Sequence, residues 1–199
     1  MKSLINIDKS DLLLAKELYL MQTYGNNKVD NVILNQIENV IKLLGDSCSC
    51  NMIDGFFDLY FKDGLAFIKE GNLLAGNNVS TRLKGAKKAY FFIVTLGKDV
   101  DRLIDKYQYV DLSTSYLIDG LASVLIDVIS QKIQDKISEN YYIYERYSCG
   151  YGDYLLSCQA NICTLLKADK IGVNLTSGGM FIPTKTISAV IGVKGEKNV

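Results

Sequence analysis

The sequence predicts an α+β fold: a single domain with a twisted, mainly antiparallel sheet flanked by helices and with an N-terminal helical region. The chain has 199 residues, of which 48% are hydrophobic, so it can bury a substantial core. Apolar residues recur at helical spacing in some segments and alternate or run continuously in others. The strand-like segments come in short groups and do not alternate strictly with helices, which favours an α+β fold over a doubly wound one.

The first part of the chain contains two helical patterns. Asp8 or Ser10 can cap a first helix over 11–21, because short polar side chains accept hydrogen bonds from the free amides of a first turn. Farther on, apolar residues recur every three or four positions and predict a second helix over 28–44. Gly45 is the expected end of this helix, since glycine readily adopts the left-handed conformation that ends many helices.

Strand signals follow these helices. Between 56 and 76, aromatic and aliphatic residues are interrupted by Asp-Gly and Glu-Gly pairs, which is typical of short strands and turns. A short helix is predicted next, with Asn78 as its cap and Gly85 as its end. The run "KAYFFIVTLG", residues 88–97, is almost continuously apolar and rich in strand formers, so we expect a buried strand there.

The second half contains the longest periodic segment. One or two helical turns over 98–107 precede a helix over 113–138, whose broad apolar arc indicates that it is largely buried. Another helix is predicted over 153–168, with Asp153 as its N-cap. A strand and turn in "KIGVNLTSGG" and a final alternating strand over 186–193 complete the predicted fold.

The charge and the N-terminal sequence exclude several kinds of protein. The 22 Lys and Arg residues balance 22 Asp and Glu residues, so we expect no binding surface for nucleic acid and none for an anionic membrane. The N-terminus, "MKSLINIDKSDLLLAKELYL", has only short apolar runs broken by charge, which predicts neither a signal peptide nor a membrane-spanning helix. We therefore expect a cytoplasmic protein.

The sequence contains no histidine. This excludes Ser-His-Asp and Cys-His catalysis and histidine-ligated zinc, so any chemistry is expected to come from a bound cofactor or substrate. The cysteines are odd in number and lack the spacing of a disulfide framework or a zinc site, and we interpret them as free thiols. They are Cys48, Cys50, Cys149, Cys158 and Cys163.

The segment "YERYSCGYGDYLLSCQ", residues 144–159 and called here the tyrosine-rich segment, has the composition of a binding site. Tyrosine offers a flat apolar face to a purine or a cationic centre, and Arg146 can bind a carboxylate through two N–H groups. Gly150 and Gly152 let the backbone bend and approach a ligand closely. The same residues also fit a tyrosine-rich strand, a tight turn and a helix cap, and composition alone leaves both interpretations open.

A polar stripe on the long predicted helix is a second candidate. Asp119, Ser123 and Asp127 are spaced four residues apart and so lie on one line of the helix. The stripe predicts either a solvated helix face or a carboxylate that faces a cationic group of a ligand.

The sequence from Arg146 onward, "RYSCGYGDYLLSCQANICTLLKADKIGVNLTSGGMFIPTKTISAVIGV", resembles the activation (reactivation) domain of vitamin B12-dependent methionine synthase. It is most similar to short stand-alone relatives with the pattern R-x-S-P-G-Y-G-D-x-x-L-x-x-Q, followed by an I-G-V-x-L-T stretch. Upstream, "LKGAKKAYFFIVTLGKDVDRLIDKY" and "LIDGLASVLIDVISQKI" fit the same pattern. The resemblance covers roughly 78–193 and divides the chain into an N-terminal helical and strand region, 1–77, and an activation-like core, 78–199. The first region is expected to be either a subdomain or part of the same domain.

The resemblance implies a function. It implies a stand-alone subunit that binds S-adenosylmethionine and docks on the cobalamin domain of a methionine synthase lacking its own activation domain. An electron from a flavodoxin-like or ferredoxin-like donor and the methyl group of S-adenosylmethionine then restore methylcobalamin. This chemistry suits a chain without histidine, because the methyl group is already activated. Two alternatives stay open: a non-catalytic adaptor that caps a corrinoid protein, and an activator of another corrinoid methyltransferase.

The resemblance also implies site residues. Arg146 is expected to hold the carboxylate of S-adenosylmethionine, and the backbone of Ser148, Cys149 and Gly150 to meet its adenosine part. Tyr151 is expected near the methyl group and the corrin face.

The residue that binds the amine of the ligand follows less directly from the resemblance than these residues do. The family uses a helical glutamate, and the nearest residues in this sequence are Ser123 and Asp127. The sequence also has Cys149 where the family usually has proline, which makes the turn less rigid.

Overall fold

The protein is described from a computed structural model that covers residues 1–70 and 74–197. The Glu-Gly turn predicted at 70–71 therefore lies partly outside the described residues. In chain order the elements are β1 (Lys2–Leu4), α1 (Lys9–Tyr24), α2 (Asn31–Ser47), β2 (Asn51–Lys62), β3 (Leu65–Ile68), α3 (Asn77–Leu83), β4 (Lys88–Thr95), α4 (Lys98–Val110), α5 (Leu112–Asn140), β5 (Tyr141–Ile143), α6 (Cys158–Leu166), a 3-10 helix (Ala168–Ile171), β6 (Asn174–Leu175), β7 (Phe181–Ile182) and β8 (Thr186–Glu196).

The strands form one central sheet and a small ribbon. The order in the sheet is β1-β2-β4-β8-β5, with β3 also paired to β2, and each of these pairs is antiparallel. Strands β6 and β7 form the separate ribbon. The prediction of an α+β domain with a mainly antiparallel sheet is confirmed.

Strand β4 lies at the centre of the sheet and is buried on both faces. Tyr90, Phe92 and Val94 point into a core formed with α1, α2, α4 and α5. The alternate residues Phe91 and Ile93 point into a second core formed with α3, α6 and the 3-10 helix. This double burial explains why the strand reads as a continuous apolar run in the sequence.

Helix α5 is the main helix of the first core. By length and composition it is apolar enough to cross a membrane, but more than half of its apolar stretch is buried inside the protein. Thirteen of its 29 residues are buried, including Leu121, Leu125 and Ile129. We therefore interpret α5 as a core helix of the domain.

Three predicted helix boundaries are wrong. Gly45 does not end α2, which continues to Ser47; a Cβ at Gly45 would lie 3.1 Å from Leu12 Cδ1, so the glycine lets α1 pack closely. Asn78 lies inside α3 and does not cap it. The helix predicted over 153–168 begins only at Cys158.

The start of the last helix was misplaced because its predicted cap serves another helix. The carboxylate of Asp153 accepts hydrogen bonds from two backbone amides at the beginning of α3, that of Asn77 at 2.7 Å and that of Asn78 at 3.0 Å. It therefore supplies the capping bonds that Gly76 cannot make. The capping residue and the helix are about 75 positions apart in the chain, which no local pattern can show.

Candidate functional site

A cleft of about 470 Å³ lies beside the tyrosine-rich segment. The segment contributes six of the lining residues: Arg146, Tyr147, Ser148, Cys149, Tyr151 and Gln159. The other lining residues come from α3, α5, β7 and the start of β8. The segment reaches this place because Tyr147 exchanges two backbone hydrogen bonds of 2.9 Å with Val190 of β8.

Arg146 is fixed through both its backbone and its side chain. Its backbone amide donates to Oε1 of Gln134 at 3.0 Å, and the amide nitrogen of Gln134 donates to Glu145 at 2.9 Å. Its guanidinium donates to Asp127 Oδ1 at 3.2 Å and to Gln131 Oε1 at 3.3 Å. Because a guanidinium carries five N–H groups, these two bonds leave donors for a ligand.

Tyr147 organises the aromatic side of the cleft. Its ring lies nearly parallel to that of Tyr154, with the centroids 6.1 Å apart, and its hydroxyl donates to the carbonyl of Tyr151 at 2.9 Å. The guanidinium carbon of Arg82 lies 4.5 Å from the centroid of the Tyr147 ring, a distance typical of a cation–π contact. Tyr151 itself is exposed at the rim.

The turn after the cleft requires glycine at position 152. Gly152 has a φ of +57°, and a Cβ there would lie 2.4 Å from Asn78 Nδ2 and 2.9 Å from Tyr147 Oη. The turn therefore packs directly on α3, where Asp153 completes the contact. Gly150 also has a positive φ of +90°, and its amide donates to the carbonyl of Tyr154 at 2.7 Å.

Cys149 and Tyr154 fill the inner side of this turn. Burial raises the pKa of the Cys149 thiol to about 12 and also raises the pKa of Tyr154. The Tyr154 hydroxyl has no hydrogen bond of normal geometry among the described residues, and the neighbouring thiol is a weak partner. Cys149 is therefore a neutral packing residue near pH 7, because the reactive form of cysteine is the thiolate.

Ser188 is a buried polar residue in the lining of the cleft. The residue is 2% exposed, and within the described part of the chain its hydroxyl has no hydrogen-bond partner. By contrast, the hydroxyl of Thr186 donates to the carbonyl of Pro183 at 2.7 Å and lies 2.8 Å from that of Thr95. A buried hydroxyl left unpaired costs about 1–3 kcal/mol, so Ser188 is a candidate for a polar contact that forms on binding.

The polar stripe on α5 binds cations of the chain itself. Lys185 lies just before β8, and its Nζ atom donates to Asp119 Oδ1 at 2.7 Å and to Ser123 Oγ at 2.8 Å. Asp127 pairs with Arg146. The predicted residue Ser123 therefore does not line the cleft, whereas Asp127 does.

A second cleft of about 700 Å³ lies between α1 and α5 and shares the Arg146–Asp127 pair with the first. It is strongly charged. In it, Lys132 Nζ donates to Asp11 Oδ2 at 2.7 Å and to Asp8 Oδ2 at 3.1 Å, which ties the start of α1 to α5.

Several residues at the cleft are not assigned from the sequence, among them Arg82 and Ser188 of the lining and Gln134, which holds the backbone of Arg146. Nothing in the local sequence marks Arg82 or Ser188. Gln134 could have been found, because it follows Asp127 by seven residues and so lies on the same face of α5.

Comparison with known proteins identifies the fold. No family model and no curated protein matches the sequence. Among solved structures, the chain is similar to a crystal structure of the MetH reactivation domain bound to AdoHcy, with a TM-score of 0.67 and 15% sequence identity. The match covers 100% of this chain and 79% of that one. At this identity the likeness shows a shared fold.

Proposed function

We propose that this chain is a stand-alone activation subunit, which binds S-adenosylmethionine in the cleft of about 470 Å³ and acts with a cobalamin-binding methionine synthase that lacks its own activation domain. One observation carries the proposal. The segment that resembles the S-adenosylmethionine site of the family lines a cleft, on a fold shared with a reactivation domain whose structure holds AdoHcy.

The charges of the cleft suit the amino-acid part of this ligand. Arg146 has free N–H donors for the α-carboxylate, and Asp127 offers a carboxylate to the α-ammonium group. The two side chains lie 3.2 Å apart, so a zwitterion bound between them exchanges one ion pair for two. In this proposal Asp127 takes the role that a helical glutamate has in the family.

The remaining lining suits the adenosine part. The volume falls within the roughly 300–1,000 Å³ that is typical of small-molecule sites. The exposed ring of Tyr151 offers a face for stacking, and the backbone of Ser148 to Gly150 offers polar groups. Ser188 offers a hydroxyl that has no hydrogen-bond partner among the described residues.

The chain itself needs only to bind and orient the ligand. S-adenosylmethionine supplies a methyl group already activated by its sulfonium, the partner supplies cobalamin as the acceptor, and a flavodoxin-like or ferredoxin-like donor supplies the electron. No residue of the chain has to transfer a proton, which fits the lack of histidine and the neutral thiol of Cys149. A cytoplasmic location follows from such partners.

Exposed apolar side chains near the cleft provide a surface for the partner. They belong to the tyrosine-rich segment and to the β6–β7 ribbon and its turn, and they are Tyr151, Leu155, Leu156, Met180 and Ile182. Clustered apolar side chains on a protein surface commonly mark an interface. We place the cobalamin domain on this rim, so that it covers the mouth of the cleft.

Calorimetric titration with S-adenosylmethionine tests the proposal. We expect binding to the purified chain that Arg146→Ala weakens at least tenfold, since a charged hydrogen bond is worth about 1.5–3 kcal/mol. Arg102→Ala is the matched control, because Arg102 pairs with Asp99 on α4 and does not line the cleft. An absence of binding, both alone and with a cobalamin-binding methionine synthase fragment, would refute the proposal.

The adaptor function is the second candidate, and the Arg146–Asp127 pair favours it. This pair already neutralises the residues that the ligand needs. An adaptor would cap the corrinoid domain without using the cleft. If the Arg146→Ala variant supports cobalamin reactivation at the full rate, the adaptor function is correct.

A further inference from the structure

The turn between α4 and α5 exposes four large apolar side chains, called here the α4–α5 corner. Tyr109 is 91% exposed, Tyr116 is 76% exposed, and Val110 and Leu112 are each 71% exposed. Tyr109 and Val110 end α4, whereas Leu112 and Tyr116 are four residues apart and lie on one face of α5. Among the described residues, the linings of the two clefts include none from 107–118, so the corner is a separate surface.

The corner carries almost no charge. The segment "YQYVDLSTSYLI", residues 107–118, contains one charged residue, Asp111, although 22% of the whole chain is charged. The carboxylate of Asp111 accepts hydrogen bonds from the amides of Ser113 at 3.0 Å and Thr114 at 3.3 Å, so it caps α5. Exposed apolar side chains that adjoin one another commonly mark a surface that another molecule covers.

A groove of about 470 Å³ adjoins the corner and is a different cavity from the two clefts. It lies between α1, α2 and the first turns of α5, and Leu112 and Tyr116 belong to its lining. Among the described residues, those that line the groove include no charged side chain. The surface therefore presents a projecting apolar corner beside an uncharged recess.

We propose that the α4–α5 corner is the interface of a symmetric homodimer, in which the corner of each copy packs against the groove of the other. The inference goes beyond the proposed function and does not depend on it. A projection and a recess on one surface are complementary to each other, and a two-fold axis lets each copy supply both. The charge distribution supports the same pairing, because two uncharged surfaces meet without the cost of removing an ion from water.

The exposed area of the corner is sufficient for such a dimer. The four side chains expose roughly 500–600 Å² in all, since a tyrosine offers about 150–250 Å² and an aliphatic side chain about half as much. Two copies then bury about 1,000–1,200 Å² at the corner, and a specific interface needs at least about 1,000 Å². The walls of the groove add to this area.

The composition of the corner does not suit a membrane surface. Helices that bind to membranes in this way carry Lys or Arg beside their apolar face, where these residues meet anionic lipids. The segment 107–118 contains neither residue type. A second copy of the chain therefore fits the corner better than a lipid surface does.

The dimer leaves both copies able to bind a ligand. Tyr116 precedes Asp127 on α5 by a distance of about 16 Å along the helix axis, at 1.5 Å per residue. The cleft beside the tyrosine-rich segment therefore stays open in each copy.

Sedimentation equilibrium of the purified full chain tests the proposal. Over a range of about 1–200 µM, we expect the mass to rise toward twice the chain mass of 22.2 kDa, with dissociation in the micromolar range. Leu112→Glu should weaken association at least about tenfold, because each copy then brings a carboxylate into an uncharged interface. The variant should stay folded, since Leu112 is exposed and an acidic residue is favourable in the first turn of a helix. Circular dichroism and thermal denaturation check this.

Leu155→Glu is the matched control. Leu155 is also an exposed leucine, but it lies on the rim of the cleft and not at the corner, so this variant should dimerise like the wild type. Hydrogen exchange at the two ends of the concentration range locates the interface. Amides of 107–118 should exchange more slowly at the higher concentration, and amides of 151–156 should exchange at the same rate.

The outcomes separate this inference from the proposed function. A chain that stays monomeric over the whole concentration range overturns the inference, as does a dimer that Leu155→Glu disrupts and Leu112→Glu does not. None of these measurements uses a ligand. A dimer with the expected response to Leu112→Glu therefore supports the inference even if S-adenosylmethionine does not bind, and that second result counts against the proposed function alone.

Discussion

Asp127 Oδ1 lies 3.2 Å from Nη2 of Arg146, and this single ion pair borders two clefts. Asp127 belongs to the long core helix, whereas Arg146 follows the short edge strand β5. The pair therefore joins the rigid centre of the domain to the segment that forms the cleft. Because its carboxylate side is largely exposed, the pair itself adds little to stability.

Replacement of Asp127 should therefore affect binding and not folding. In Asp127→Asn we expect the free energy of unfolding to change by less than about 0.5 kcal/mol, as for other exposed ion pairs. Affinity for S-adenosylmethionine should fall about tenfold, because the amine loses its charged acceptor. Chemical denaturation and calorimetry on the same samples measure the two effects.

The control for this variant is Asp119→Asn. Asp119 lies two helical turns away on the same stripe and pairs with Lys185 outside the cleft. The Asp119→Asn variant should bind S-adenosylmethionine with unchanged affinity. If Asp119→Asn weakens binding as much as Asp127→Asn, the effect is a property of the helix and Asp127 has no specific role.

Gln134 holds the backbone of the tyrosine-rich segment in place and is the next residue to test. It is buried, and its side chain links the amide of Arg146 and the carboxylate of Glu145 to α5. In Gln134→Leu both partners lose their hydrogen bonds, and we expect a loss of about 1–3 kcal/mol in stability. Ligand affinity should fall as well, because Arg146 is no longer held in place.

Ser130→Ala provides the comparison for Gln134→Leu. Ser130 is also buried on α5, but its hydroxyl bonds only to the carbonyl of Ile126 within the helix. We expect a small change in stability and no change in affinity. Equal affinities of the Gln134→Leu variant and the wild type would show that Gln134 has only a structural role.

The sequence predicts the fold well where burial produces a long, regular pattern. Strand β4 and helix α5 were predicted nearly to their ends, because one is buried on both faces and the other over a broad arc. Strands β1 and β5 were not predicted. Each has three residues, too few for a periodic pattern, and each depends on pairing with a neighbouring strand.

Site residues were predicted from the sequence only where they lie close together along the chain. The family resemblance implied Arg146, Ser148, Cys149, Gly150 and Tyr151, and the lining of the cleft includes all of these except Gly150. The helical spacing placed Asp119, Ser123 and Asp127 on one line, but it could not show which cation each residue meets. Those partners are set by how β8 and the segment cross α5, which is a property of the whole fold.

Asp153 provides a test of such a long-range contact. Asp153→Ala removes both bonds to the first amides of α3, and loss of a helix cap costs about 0.5–2 kcal/mol. Because the same residue anchors the turn after Gly152, we also expect weaker ligand binding. Asp153→Asn keeps one acceptor oxygen and should recover part of both losses.

A cap far from the cleft separates the two effects of Asp153. Asp30 caps α2 through a bond of 2.7 Å from the amide of Val32 and does not line the cleft. Asp30→Ala should lower stability by a similar amount and leave affinity unchanged. If affinity follows stability in both variants, the turn has no specific contact with the ligand.

Buried thiols should make the protein sensitive to alkali. Burial raises the pKa of Cys48, Cys50 and Cys149 from 9.0 to about 12 and that of Cys163 to about 11. The folded state therefore holds these protons more tightly than the unfolded chain does. Their contribution to stability is complete below about pH 9 and is lost as the pH rises from about 9 toward 12.

The Cys149→Ala variant tests this pH dependence at the cleft. In the wild type we expect the free energy of unfolding to fall steeply between pH 8 and pH 10.5, values that bracket the ordinary thiol pKa of 9.0. In the variant the decrease should be smaller by about 1–2 kcal/mol, because one raised thiol pKa has been removed. Denaturation curves for the two proteins at both pH values measure the difference. Parallel pH profiles would mean that the Cys149 thiol ionises as easily in the folded protein as in the unfolded chain, and that the turn around it admits water.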